Sequence, residues 1–175
     1  PNDTLLDTLN IPPGNQTANQ QFLRISEINY NPHSSVANAE FIELVNTGSV
    51  PLNLSGVRIT EGPSTPFVFA TPTTLNPGQR ILVVQDISNF LARYPSVSAA
   101  QIAGVYTGNL NNAGENIRLE EPGGELILEF NYGDNDPWFA GTDGDGLTLE
   151  LLNETNTSLL KMGKYYSWRP SAAFN

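Results

Sequence analysis

The chain contains no cysteine and a single histidine, His33. No disulfide framework can staple it, and no thiolate can bind metal or act as a nucleophile. A zinc site would have to be built almost wholly from carboxylates, which suit harder cations. Basic residues are scarce as well: 8 Lys and Arg stand against 18 Asp and Glu, for a net charge of −10. Nucleic-acid binding draws on clustered Lys and Arg, so no nucleic acid is expected as a direct partner. The acidic balance instead favours a hydrated surface, with recruitment of divalent cations as the alternative. Long apolar runs are missing too. No stretch approaches the roughly 20 apolar residues that cross a bilayer, so direct membrane insertion is not expected. The chain opens at Pro1 without an initiator Met, a basic n-region or an apolar h-region, and reads as an internal fragment or a processed product.

What is present suits one domain with a tail. The length of 175 residues and the hydrophobic fraction of 39% allow a sizeable core. Residues 1–21 are rich in Pro, Gly, Asn, Gln and Thr, with Leu5, Leu6, Leu9 and Ile11 offering one weak helical turn, and read as an incoming linker or N-terminal tail. From Phe22 to residue 175 the texture is that of a β domain: short runs of Ile, Val, Leu, Phe and Tyr, each closed by Gly, Pro, Asn or Asp. Strands are expected at Phe22–Tyr30, Glu40–Asn46, Gly56–Thr60, Phe67–Phe69, Arg80–Gln85, Gly104–Thr107, Asn116–Glu120, Glu125–Tyr132 and Leu147–Leu152. Ile117 and Leu119 alternate with Arg118 and Glu120, which means one buried and one wet face. Pro122-Gly123-Gly124 should turn a hairpin with its glycines at positive φ. One segment has helical spacing: Ile87, Phe90, Leu91 and Tyr94 share a face, with Asp86 as cap and Pro95 as stop. The fold class is therefore all-β, an Ig-like β-sandwich of about eight to nine strands with one short crossover helix and no parallel βαβ rhythm.

Three blocks then resemble a known family. Leu23-Arg24-Ile25-Ser26-Glu27-Ile28-Asn29-Tyr30-Asn31-Pro32, Glu40-Phe41-Ile42-Glu43-Leu44-Val45-Asn46-Thr47-Gly48 and Pro51-Leu52-Asn53-Leu54-Ser55-Gly56 resemble, in order, the opening of lamin tail domains, especially their bacterial branch. The resemblance runs on through Leu75-Asn76-Pro77-Gly78, Asp136-Pro137-Trp138 and Ser167-Trp168-Arg169-Pro170-Ser171, over about residues 22–171. It implies an Ig-like sandwich and a non-catalytic interaction or structural module of a larger exported or surface bacterial protein. The partners it implies are a protein, a cell-surface component or neighbouring domains of the parent chain, and the localisation is extracellular or cell surface. Filament assembly is not implied, because no sustained heptad precedes the domain.

Residues with chemical potential were weighed one by one. His33 lies beside Ser34 and Ser35 in a turn, with no Gly-x-Ser-x-Gly elbow to support a nucleophile. Glu27, Glu40 and Glu43 could provide a glycosidase pair, or could accept hydrogen bonds at strand ends, with Arg24 and Arg58 as partners. Asp134, Asp136, Asp143 and Asp145 crowd one loop and are candidate calcium ligands; turn formation is the competing reading. Trp138 and Trp168, with Tyr165 and Tyr166, could stack on sugar faces or pack in the core. No catalytic residue and no cofactor is expected, calcium apart. A calcium- or carbohydrate-binding accessory domain attached to an enzyme is the alternative function. The Asn-x-Ser/Thr sites at Asn2, Asn15, Asn53, Asn153 and Asn156 are given no role.

Overall fold

Alternation along the strands decides which faces meet. The computed structural model describes residues 16–36 and 38–172. A six-stranded sheet has the order β12-β11-β1-β2-β7-β8, where β1 is Leu23–Asn29, β2 Phe41–Asn46, β7 Arg80–Val84, β8 Ile102–Val105, β11 Leu149–Leu151 and β12 Trp168–Pro170. A four-stranded sheet has the order β10-β9-β4-β5, from β4 Arg58–Glu61, β5 Phe67–Val68, β9 Asn116–Glu120 and β10 Leu126–Asn131. β3, Leu52–Asn53, and β6, Thr74–Leu75, form a separate two-stranded ribbon. The core lies between the sheets, where Ile25, Ile28, Ile42, Leu44 and Val83 meet Ile59, Ile117, Leu119, Ile127 and Phe130.

All nine expected strand runs are strands, with ends shifted by a residue or two. Among the described residues twelve strands are seen rather than eight or nine, because β3 and β6 are two residues long and β12 is an edge strand of three. The hairpin between β9 and β10 closes with the Gly124 N–H donating to Glu121 C=O at 2.9 Å. Only Gly124 is at positive φ, +99°, whereas Gly123 was expected there too.

Two expectations about helices need correction. First, β7 and β8 are parallel, and helix α2 (Ile87–Arg93; α1 is Ala18–Phe22) crosses between them, so one βαβ unit is present after all. Asp86 does cap α2, its carboxylate accepting from Asn89 N–H at 2.8 Å. The helix packs Phe90, Leu91 and Tyr94 on Phe41, Leu82 and Val84, on the outer face of the six-stranded sheet, but Ile87 is exposed. Second, residues 16–21 were expected as linker, yet Ala18–Phe22 is a helix with a full capping box: Thr17 Oγ1 accepts from Gln20 N–H, and Gln20 Oε1 accepts from Thr17 N–H. The remainder of that stretch, 1–15, lies outside the described residues.

A bulge in β1 positions the acidic groups. Ile25 pairs with Leu44, but Glu27 pairs with Glu43, leaving Ser26 as the extra residue. The shift returns Ile28 to the core opposite Ile42 and sends Glu27 to the outer face.

Candidate functional site

The outer face of the six-stranded sheet carries a row of charge. Glu27 lies opposite Glu43 on one side and Glu150 on the other, and Glu150 lies opposite Arg169. Arg80 clamps the row, donating to Glu43 at 2.7 Å and to Glu154 at 2.8 Å, while Arg169 pairs with Glu150 at 2.8 Å. Glu27 itself has no cationic partner in contact among the described residues; it accepts a short hydrogen bond from Thr148 Oγ1. Burial, then repulsion from Glu43 and Glu150, outweigh that bond and the more distant Arg80, and push its carboxyl up to about 7.

Glu40 is elsewhere. It is buried at the start of β2 and accepts from Tyr106 Oη at 2.6 Å and Leu110 N–H at 2.7 Å, tying the chain after β8 to the sheet. Burial raises its pKa, and burial, then the charge of the neighbouring Glu40, raises that of Tyr106. The Arg partners expected for these carboxylates are wrong. Arg24 donates to the backbone carbonyls of Gln20, Gln21 and Leu23, and Arg58 pairs with Glu120 at 2.9 Å. Sequence could not have supplied Arg80, because its alignment with Glu43 depends on strand order. Each of the three glutamates is thus held by groups that stabilise sheets and loops.

His33 closes a local turn, its Nδ1 accepting from Ser35 N–H at 3.2 Å and lying 2.8 Å from Ser35 Oγ. Contacts two residues apart are ordinary loop chemistry.

The aspartate loop is stitched onto one end of the sandwich. Asp143 accepts from Asn31 Nδ2 at 2.6 Å, Gly144 N–H donates to Asn31 C=O at 3.0 Å, and Thr142 hydrogen-bonds the buried Tyr30 hydroxyl at 2.9 Å. Asp134 accepts from its neighbour Asn135 at 2.7 Å, and Asp136, Asp143 and Asp145 face solvent. Among the described residues no group of three or more His, Cys, Asp or Glu could hold a metal ion. The four aspartates share a loop without sharing a point in space.

The tryptophans part company. Trp168 is 1% exposed, stacked on Phe130 with ring centroids 5.3 Å apart, and its indole N–H donates to Met162 C=O at 2.6 Å. Buried in this way it offers no face to a sugar, so of its two readings the structure shows core packing and not sugar stacking. Trp138 is half-buried against the core, its ring so close to Gly133 that a Cβ there would come within 2.8 Å. Tyr165 and Tyr166 sit in a one-turn helix rather than a strand, so both are exposed, at 41% and 55%, with rings 5.6 Å apart edge to face. They share the strap 153–167 with the exposed Leu160, and the exposed Leu152 is bonded through its N–H to Ser167 at the end of that strap.

A clip between the α1 segment and the β9–β10 turn was not expected from the sequence. The buried Glu121 carboxylate accepts from Thr17 Oγ1 at 2.5 Å and from Asn19 Nδ2 at 2.9 Å, and Asn19 also donates to Asn53 C=O. The Thr17-x-x-Gln20 capping box was the available signal.

No curated protein matches the chain. A sequence-family model described as Lamin Tail Domain matches residues 16–134, from the Thr17 cap to the start of the aspartate loop. Lamin tail domains are Ig-like and generally serve as non-catalytic interaction modules, and with this match, on a sandwich of the same kind, the chain belongs to the lamin tail domain family.

Proposed function

We propose that this lamin tail domain is an interaction and structural module of a larger exported or surface bacterial protein, and that it meets a protein partner of the cell envelope through the strap 152–167. One observation carries the reading: Tyr165 and Tyr166, with Leu152 and Leu160, place aromatic and leucine side chains in solvent on one short segment. Tyrosine brings large contact area at low entropic cost and is enriched where proteins bind proteins. The glutamates a glycosidase would need are engaged with Thr148, Arg80, Tyr106 and backbone, in keeping with a module that does no chemistry. The resemblance to the bacterial branch of lamin tail domains supports the exported setting.

Co-sedimentation of the domain with cell-envelope preparations tests this. Retention should fall at least tenfold, with an unchanged melting curve, when Tyr165 and Tyr166 are both replaced by Ser. Equal retention of both forms sinks the strap as the contact. Turnover of any substrate in a broad panel, lost in Glu27→Gln, sinks the non-catalytic reading.

A further inference from the structure

Free sheet edges invite strands from other chains, and proteins usually blunt them with proline, charge, short length or a covering segment. Three of the four terminal strands in the two large sheets are blunted here. β12 carries Pro170, which has no N–H to offer. β10 is covered: Gln20 donates to Leu126 C=O at 2.7 Å, and the chain at Gly163 runs so near Asn131 that a Cβ on Gly163 would stand 3.7 Å from its nitrogen. β5 is only two residues long.

β8 is different. Ile102-Ala103-Gly104-Val105 is the last strand of the six-stranded sheet, four residues without proline or charge, and no strand pairs with its outer side among the described residues. Its far end is tied to the other sheet by a Thr65–Thr107 bridge and by Ser64 N–H donating to Thr107 C=O at 2.9 Å. The Phe67 ring packs beneath Gly104, where a Cβ would come within 2.9 Å of it, so the sandwich interior is closed at this edge while the strand itself stays open. Val105 and Val68, exposed at 49% and 53%, flank the seam on the two strands.

Charge singles out the same edge. The two longest stretches of the chain without Asp, Glu, Lys or Arg are 62–79 and 94–114, and they are the segments that carry β5 and β8. A chain of net charge −10 repels its own copies over most of its surface. Along β8 itself a second copy meets no charged residue, and it brings an identical open strand, as a twofold interface requires.

We propose that β8 is a self-association edge: two copies pair β8 antiparallel to β8 about a twofold axis, joining their six-stranded sheets into one. This surface is distinct from the strap, and neither reading depends on the other.

Sedimentation velocity and light scattering of the whole chain, from low micromolar to near-millimolar concentration and at low and high salt, test it. The mass should double from 19.0 kDa as concentration rises, more readily at high salt. Val105→Glu should stay monomeric with an unchanged far-ultraviolet spectrum, whereas Val50→Glu, the same charge at an exposed site off the edge, should dimerise as the wild type does. Amide exchange of 102–105 should slow with concentration in the wild type, a readout that does not depend on any variant folding. A wild type that stays monomeric throughout overturns the proposal. So does a dimer that Val105→Glu leaves intact, or one lost instead on replacing Tyr165 and Tyr166.

Discussion

Glu27 and Glu43 are direct cross-strand partners on the outer face of the six-stranded sheet, and Glu43 is ion-paired to Arg80 at 2.7 Å. Like charges set opposite one another destabilise a ladder. The arrangement is tolerated because Arg80 neutralises Glu43 while the Glu27 carboxyl, pushed up to about 7, sheds its charge readily.

That asymmetry predicts a pH dependence. A carboxyl raised from 4.5 unfolded to about 7 folded binds its proton more tightly in the native state. Its contribution to stability is complete below about pH 4.5, declines as pH rises toward 7, and is gone above. Glu27→Gln should therefore raise the melting temperature at pH 8 by several degrees, roughly 1–3 kcal/mol, and flatten the decline between pH 5 and 7. A variant less stable than wild type at pH 8 contradicts the account.

The clip between α1 and Glu121 makes a second prediction. Asn19→Ala removes the donor to Glu121 and leaves a buried carboxylate short of a partner, which costs about 1–3 kcal/mol. Urea unfolding measures it. No loss in the Thr17→Val, Asn19→Ala double variant rules out a stabilising clip.

Strands beyond residue 134 belong to the core despite lying outside the family match. β11 pairs with β1 through Glu27–Glu150 and Ile28–Leu149, and β12 brings Trp168 against Phe130. A chain ending at residue 134 should show no cooperative thermal transition. Trp168→Ala should cost about 3–5 kcal/mol in the whole chain. A sharp melt from the shortened chain removes β11 and β12 from the folding unit.

Calcium makes a fourth test. The aspartates at 134, 136, 143 and 145 do not converge, and Asp143 already accepts from Asn31. Melting in millimolar calcium and in chelator should give superimposable curves, since an ion that bound the native state alone would stabilise it. A rise of several degrees with calcium restores the loop as a metal site.

Strands were most readable where alternation ran for five residues or more, as in Asn116–Glu120, because period two has one meaning at that length, while shorter runs such as Phe67–Phe69 were readable from their aromatic and β-branched content and the turn residues around them. β3 and β6 were not, since two residues carry no period. Helix α1 hid behind its buried polar residues: Asn19 and Gln20 face Glu121 and the Leu126 carbonyl, and composition alone makes such a segment look like linker. The parallel β7–β8 pair was missed because a single βαβ unit makes no rhythm. At the acidic row, Glu27 and Glu43 could be placed on neighbouring strands, but Glu150 and Arg80 join them only through the sheet order, and that order follows from the whole fold.

The position of β1 has a consequence for how the molecule is made. Within the domain β1 is made before every other strand and β2 follows soon after, yet its other neighbour, β11, begins only at Leu149. Until then one edge of β1 has no partner, and the partly made sheet presents it to any chain nearby. Contacts so distant in sequence also slow folding. Synthesis must therefore outlast a vulnerable interval spanning most of the domain, and a chaperone would guard an unfinished seam in the middle of the future sheet.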